Sequence, residues 1–162
     1  MSDNPQSNGG QPQGPGMDEG IRVQVLGQYI KDLSFENPGA PQAFQSRPAI
    51  DLGVDVQARR VDADHAEIEI KLRVSAKVED KPAFLLELVY GGYFLVQNAP
   101  DDILQQVLLI EAPHLLFPFA RRIVADVIRD GGMPPLMIEP IDFSALYRAK
   151  QGETQARATA PA

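Results

Sequence analysis

AEIEIKLRVSAKV, residues 66–78, alternates apolar and polar side chains over its whole length. Every even-numbered position is apolar, and every odd-numbered position between them is charged or carries a hydroxyl. This period of two predicts a strand, because successive side chains of a strand point to opposite faces of a sheet. Thirteen residues span about 43 Å at the usual rise per residue. A polar face on so long a strand indicates an antiparallel sheet with one side toward water.

Three more strands are predicted around this one. Ile21 to Ile30 and Ile50 to Gln57 also alternate, with Val23, Val25, Gly27 and Tyr29 sharing one parity of the first segment. A loop with Pro and Gly over residues 37–41 separates these two segments. Residues 84–90 are apolar on both parities, which in an antiparallel sheet calls for a second layer or a partner subunit over the other face.

Past Gly91-Gly92, where the sequence permits a bend, the apolar period becomes helical. A first helix is predicted to run to Glu111, with Asp101 or Asp102 as its cap and Pro113 as the residue that ends or kinks it. A second helix has an apolar stripe over residues 116–128.

The pair Gly131-Gly132 is predicted to end the second helix. Residues 133–140 are apolar and interrupted by Pro, so they are predicted to be an extended connector. A short last helix, Phe143 to Ala149, would be capped by Asp142. Strands followed by helices predict an α+β fold: a four-stranded antiparallel sheet with the helices packed on one face.

One domain is predicted over residues 21–149, with loose ends. Residues 1–20 hold five Gly, three Pro and no aliphatic side chain beyond two Met, so we expect a disordered N-terminal segment. Residues 150–162 are small and polar without periodic apolar positions, and we expect a flexible C-terminal tail.

Composition excludes several classes of function. The net charge of −7 disfavours nucleic acid and anionic membranes as partners and suits a basic partner. The chain has no Cys, hence no disulfide and no thiolate metal site. No secretory leader pattern and no run of about 18 apolar residues is present, so we expect a cytoplasmic protein without membrane insertion.

Motifs for catalysis are weak. His65-Ala66-Glu67 has the His-x-Glu spacing of zinc deaminases but lacks their Cys pair, so His65 is interpreted as a solvated residue. His114 has no nucleophile in an activation motif and is interpreted as a packing or capping residue. The acids of the polar strand face are interpreted as solvated. We predict a protein that is not an enzyme and needs no metal or cofactor.

Apolar side chains on irregular backbone are the unusual feature. Phe, Leu and Met lie beside Pro in residues 41–44, 115–119 and 133–138. Singly these side chains are typical of a core, but as a set they are what a promiscuous groove for extended apolar peptides needs.

Several motifs resemble one family. They are KDLSFENP at residues 31–38, AFLLE at residues 83–87, LFPFAR at residues 116–121, and PIDFSALY at residues 140–147. Together they closely resemble the SecB family of export chaperones, and in particular its alphaproteobacterial members. The resemblance covers most of residues 22–147 and implies a four-stranded antiparallel sheet with helices, assembled as a dimer of dimers.

The resemblance also implies partners. It implies that unfolded secretory precursors are held in the cytosol and delivered to SecA, whose matching tail is basic and carries its own zinc. Residue by residue, the implied SecA site on the outer sheet face is Asp32, Glu36, Leu85 and Glu87. The opposite parity of the same strand implies subunit or helix contacts for Leu86, Leu88 and Tyr90.

A groove for client peptides is the last implied site. Its expected members are Phe44, Leu116, Phe117, Met137 and Phe143. Two alternatives stay open. One is a SecB-like chaperone dedicated to a single client such as an antitoxin, which would not need the SecA motifs. The other is an enzyme or small-ligand protein, which would need a converging polar cluster in the sheet-and-helix groove.

Overall fold

A computed structural model describes residues 20–160, and its centre is one four-stranded antiparallel sheet. The strands are β1 (Arg22–Glu36), β2 (Ala49–Arg60), β3 (His65–Val78) and β4 (Lys81–Gln97). Their order across the sheet is β1-β4-β3-β2, so β1 and β2 are the edges. The predicted α+β class and antiparallel sheet are confirmed. Residues 1–19 of the expected N-terminal segment lie outside the described residues.

The side chains of β3 point alternately to the two faces of the sheet, as the sequence predicted. The even-numbered residues from Ala66 to Ala76 are buried on what we call the inner face, under the helices. The odd-numbered residues are on the opposite, outer face. Strand β4 pairs with β3 along its length, so its even-numbered residues from Phe84 to Val96 belong to the inner face as well.

Strand β1 contains two irregularities that the sequence did not reveal. The register against β4 shifts between Val25 and Gly27 and again between Ile30 and Asp32. Each shift inserts one residue and exchanges the faces. As a result Gly27 and Tyr29 face outward, although Val25 faces inward. The common face expected from their shared parity is therefore wrong. The strand also continues past its predicted end at Ile30.

The predicted bend at Gly91-Gly92 is wrong, because β4 runs through both residues. The glycines instead make room for neighbouring side chains. A Cβ on Gly91 would meet the ring of Tyr29, with Cζ at 3.0 Å and the ring edge closer still. A Cβ on Gly92 would lie 2.7 Å from Cδ2 of Leu116. A side chain therefore packs closely against the backbone on each face of the sheet, Tyr29 at Gly91 and Leu116 at Gly92.

The helical part begins with α1 (Asp101–Gln106), a π-helical turn (Val107–Glu111) and α2 (Ala112–Asp130). Asp101 and Asp102 lie in the first turn without a side-chain cap, contrary to the prediction. Pro113 does not end the helix. The backbone N–H of Ala112 donates to the Val107 carbonyl, five residues back, and this wider turn continues the helix into Pro113.

The run from Asp101 to Asp130 is long and apolar enough to cross a membrane by length and composition alone. Helices in the core of water-soluble proteins meet the same criteria. Here Leu116, Ala120 and Val124 are completely buried, and α2 packs on the two central strands. The run is therefore the core helix of this fold.

Helical cover is limited to the middle of the sheet. Inner-face residues of β3 and β4 are buried, but four apolar side chains of the edge strands stay exposed on the same face: Ile30, Leu33, Ile50 and Leu52. The inner face therefore has an apolar margin on each side of the helices.

After α2 the chain turns at Gly132, whose φ is +90°. Residues 133–142 form an irregular connector, as predicted, and α3 (Phe143–Thr159) follows. The Asp142 carboxylate accepts a hydrogen bond from the Ala145 N–H at 3.0 Å, which confirms the predicted cap. The predicted end of this helix at Ala149 is wrong, since the helix continues for ten residues through the expected C-terminal tail.

Candidate functional site

The outer face brings together the four side chains expected to bind SecA. In the pairing of β1 with β4, Glu36 lies opposite Leu85, Ser34 opposite Glu87, and Asp32 opposite Val89. Paired residues of an antiparallel sheet share a face, so Asp32, Glu36, Leu85 and Glu87 form one patch across two strands. We call this set the acidic patch. Parity predicted a common face within each pair, Asp32 with Glu36 and Leu85 with Glu87, because both register shifts of β1 precede Asp32. The register of β1 against β4 then places the two pairs on the same face.

The acids of the patch differ in their surroundings. Glu87 on β4 is contacted by the guanidinium Nη1 of Arg73, its register partner on β3. Asp32 and Glu36 are exposed, and the salt bridges among residues 20–160 do not include them. Two carboxylates of the patch are thus open to an external cation, and the third already has an internal one.

A shallow depression of about 390 Å³ adjoins the acidic patch on the outer face. Its polar lining consists of three acids and two bases: Asp32, Asp55, Glu87, Lys71 and Arg73. Sequence reasoning did not single out Asp55, Lys71 or Arg73 as site residues. Their parity placed them on the polar side of β2 and β3, but the register that joins them to β4 is not visible in a single sequence.

A second polar cluster lies on the outer face around Glu67. This carboxylate accepts hydrogen bonds from the Tyr29 hydroxyl at 2.5 Å, from Lys31 Nζ at 3.0 Å and from Arg59 Nη2 at 3.0 Å. Lys31 also contacts Glu69. The hydrogen bonds, first that of Tyr29, lower the pKa of Glu67 to about 2. Burial, and then the bond to Glu67, raises the pKa of Tyr29 to about 12.

Three of the five expected groove residues are in the core. Leu116, Phe117 and Phe143 are at most 5% exposed. Leu116 packs between α2 and the sheet, and the rings of Phe117 and Phe143 meet edge to face at 6.0 Å. The prediction that these three line a groove is therefore wrong for the single chain, because their apolar surface is already covered.

The other two groove residues are exposed. Met137 on the connector is 64% exposed, and Phe44 on the short helical turn Gln42–Gln45 is 42% exposed. The Phe44 ring rests on Gly132, where a Cβ would come within 2.6 Å of the ring. Both apolar side chains therefore belong to the loops around the end of α2.

Subunit or helix contacts were expected for Leu86, Leu88 and Tyr90, and the structure shows the helix contacts. Leu86, Leu88 and Tyr90 are at most 7% exposed in the single chain, since the helices cover the inner face of β4. They have almost no surface left for a partner. Exposed large apolar side chains lie elsewhere, and they include those of the edge strands described above and Leu115 and Phe119 on the side of α2 away from the sheet.

Both histidines make contacts that hold the fold together. His65 was expected to be solvated, but its Nδ1 lies 2.8 Å from Oδ1 of Asp62 and its ring stacks on Tyr93 with centroids 5.3 Å apart. It holds the turn between β2 and β3. His114 packs against Phe143 with ring centroids 5.0 Å apart, which is the packing role expected of it. Within residues 20–160 no three His, Asp or Glu side chains are grouped closely enough to hold a metal ion.

Comparisons with known proteins give a consistent result. The family model "Preprotein translocase subunit SecB" matches residues 17–154. The chain is 48% identical over 167 residues to the protein-export protein SecB of Parvibaculum lavamentivorans, with 99% of each chain covered. It is 50% identical over 138 residues to the protein of the same name from Hyphomonas neptunium, with 84% of this chain and 82% of that one covered.

Among solved structures, the chain is similar to a SecB-like chaperone of Mycobacterium tuberculosis, solved in complex with a peptide from an antitoxin. The TM-score is 0.59 at 14% sequence identity, with 74% of this chain and 91% of that one covered. At this identity the similarity concerns the fold alone.

Proposed function

This chain belongs to the SecB family, and from that membership we propose that it is a protein-export chaperone. It binds unfolded secretory precursors in the cytoplasm, keeps them unfolded without enzymatic activity, and delivers them to SecA. The observation that carries the proposal is the family match, which extends over residues 17–154. The chain thus has the whole fold of the family and not one shared motif.

The acidic patch supports SecA as a partner. Asp32 and Glu36 are exposed on a flat sheet face of a chain with net charge −7, and such a surface favours association with a basic segment. Leu85, which lies opposite Glu36, would add an apolar contact at one end of the patch.

Exposed apolar side chains support assembly as a dimer of dimers. The inner face keeps an apolar margin at β1 and another at β2, and α2 exposes Leu115 and Phe119 on its far side. A stable subunit interface buries about 800 Å² on each partner, with an apolar centre. Contacts at a sheet margin and at α2 would cover these side chains with two different copies, which gives four subunits.

Client binding would use the apolar side chains of the loops. Met137 and Phe44 lie on irregular segments, and the flexible Met side chain adapts to varied partners. Each buried apolar Å² contributes about 25 cal/mol, so one short contact is weak. Wrapping of one extended client over several subunits would supply the affinity through effective concentration.

Dedication to one client is the weaker alternative. The similar structure with an antitoxin peptide shares only 14% identity with this chain, whereas the export proteins share 48% and 50%. The acids expected for SecA are also all present, although a dedicated chaperone has no use for them.

The test is a light-scattering mass of the purified protein, alone and after mixing with an unfolded precursor, with the same precursor folded, and with SecA. We expect a tetramer that takes up only the unfolded precursor and also binds SecA. Reversing one charge, Asp32→Lys, is expected to weaken SecA binding and leave precursor binding unchanged, with Glu153→Lys on the exposed end of α3 as the control. A protein that binds neither the unfolded precursor nor SecA would contradict the proposal.

A further inference from the structure

The acidic patch contains a cation of the chain itself. Arg73 on β3 lies directly across from Glu87 on β4, and its Nη1 contacts the carboxylate Oε1. We propose that Arg73 occupies Glu87 in the free protein and competes with the incoming cations of SecA, so that it sets the affinity and salt dependence of that complex. This inference rests on the proposed function, because it assumes the SecA site.

Both side chains of the pair are accessible. The Arg73 side chain is 62% exposed and that of Glu87 is 43% exposed. An ion pair this exposed is weak, because water and salt screen the attraction between its charges. A partner's guanidinium or ammonium group can therefore replace Arg73 on the carboxylate, but it must displace it first.

The sheet leaves room for Arg73 to move aside. Its register partner on the other side, on β2, is Gly53, and a Cβ built there would lie 3.8 Å from the Arg73 Cβ. Because Gly53 has no side chain, the depression is open beside Arg73, and Asp55 lies on its rim. A displaced guanidinium could thus stay on the outer face near Asp55, whose carboxylate also contacts Lys150.

The chain offers a matched control. Arg59 on β2 has the same charge, lies on the same face and is similarly exposed, with 67% of its side chain accessible. It pairs with Glu67, which keeps Tyr29 and Lys31 as donors when Arg59 is removed. Removing Arg59 therefore changes the net charge of the outer face without freeing a carboxylate of the acidic patch.

The experiment measures the dissociation constant for SecA of the full-length wild type, Arg73→Gln, Arg59→Gln, Glu87→Gln and the double variant Arg73→Gln/Glu87→Gln. At about 50 mM salt we expect Arg73→Gln to tighten binding by about two- to fivefold, the range of an exposed ion pair. Arg59→Gln should give less than half of that gain. The gain should shrink at about 300 mM salt and vanish in the Glu87→Gln background.

Two results would overturn the inference and leave the proposed function standing. In one, Arg73→Gln weakens binding, so that Arg73 itself contacts SecA. In the other, Arg73→Gln and Arg59→Gln tighten binding equally, so that only net charge matters. A wild type that does not bind SecA at either salt concentration would overturn both. Urea unfolding of each variant checks that the fold is retained.

Discussion

Glu67 accepts hydrogen bonds from side chains of two other strands, Tyr29 and Lys31 on β1 and Arg59 on β2. One carboxylate on a central strand thereby ties both edges of the sheet to its middle. Since these bonds require the ionised form, they lower the pKa of Glu67 to about 2 from the ordinary 4.5.

Stability should therefore depend on pH through Glu67. A lowered pKa adds to the free energy of unfolding, and this contribution is complete above about pH 4.5 and is lost as the pH falls toward about 2. For Glu67 the contribution is on the order of 2 kcal/mol. We expect Glu67→Gln to be less stable than the wild type near neutral pH and to lose less on acidification. Urea unfolding at about pH 7 and about pH 3 measures both effects.

The control for this measurement is Glu139→Gln, a change at an exposed acid of the connector, which should track the wild type at both pH values. An equal loss of stability on acidification in Glu67→Gln and in the wild type would show that other carboxylates dominate the acid response.

At the scale of elements, much of the sheet could be predicted. Strands β1, β2 and β3 and their order along the chain followed from period-two alternation, because successive side chains of a strand point to opposite faces. Strand β4 was predicted from a segment that is apolar on both parities. The bulges of β1 could not be predicted. An inserted residue looks like any other in a single sequence, and only the partner strand reveals the shift.

The helices show a similar limit. Pro113 predicted an interruption, since Pro cannot donate to a carbonyl one turn back. The π-helical turn before it resolves that conflict by local geometry. The end of α3 was placed too early because its last residues, all exposed, lack the apolar period on which the prediction depended.

The candidate site was predicted from the family resemblance, and the strand period agreed with it where parity alone decides the face. Asp32 and Glu36 share a strand parity, so the period is consistent with their common face. Leu116 and Phe143 were assigned to a groove because they flank Pro or an irregular segment, but the tertiary fold buries both. Exposure of an apolar residue is a property of the assembled elements, which a single sequence does not display.

Strands β1, β4 and β3 are joined at Gly91, where the Tyr29 ring crosses β4 to reach Glu67. Gly91→Ala would place a methyl group in the position of that ring. We expect it to lower the free energy of unfolding by about 1–3 kcal/mol, as other overpacking changes do. Urea unfolding measures the loss, and Gly53→Ala, with its nearest neighbour at 3.8 Å, should change stability far less.

The double variant Tyr29→Ala/Gly91→Ala separates this clash from a general effect of Ala in the strand. If the clash is the cause, the double variant should cost clearly less than the sum of the single variants. Additive losses would mean that residue 91 acts independently of Tyr29.

At the scale of the whole molecule, two exposed apolar residues are expected to have different roles. Phe119 on α2 is proposed to lie in a subunit interface, and Met137 on the connector is proposed to meet clients. Phe119→Glu should lower the assembled mass, because burying an unpaired charge costs several kcal/mol. Met137→Glu should keep the mass and weaken uptake of an unfolded precursor.

Light scattering of both variants, with and without unfolded precursor, distinguishes these roles. A tetrameric Phe119→Glu protein would remove α2 from the proposed interface. Loss of mass in Met137→Glu would move the connector from the client surface to the interface.

The helices cover only the middle of the sheet, and this has a consequence for the life of the protein in a crowded cell. If the subunits assemble as proposed, an isolated subunit exposes apolar side chains at both edges of its sheet, and an assembled chaperone could bind it as it binds an unfolded client. Newly made subunits would then compete with genuine cargo until they find one another. At a high concentration of the protein, newly made subunits would meet and assemble sooner. At a low concentration, more of the chaperone would be occupied by its own unassembled subunits.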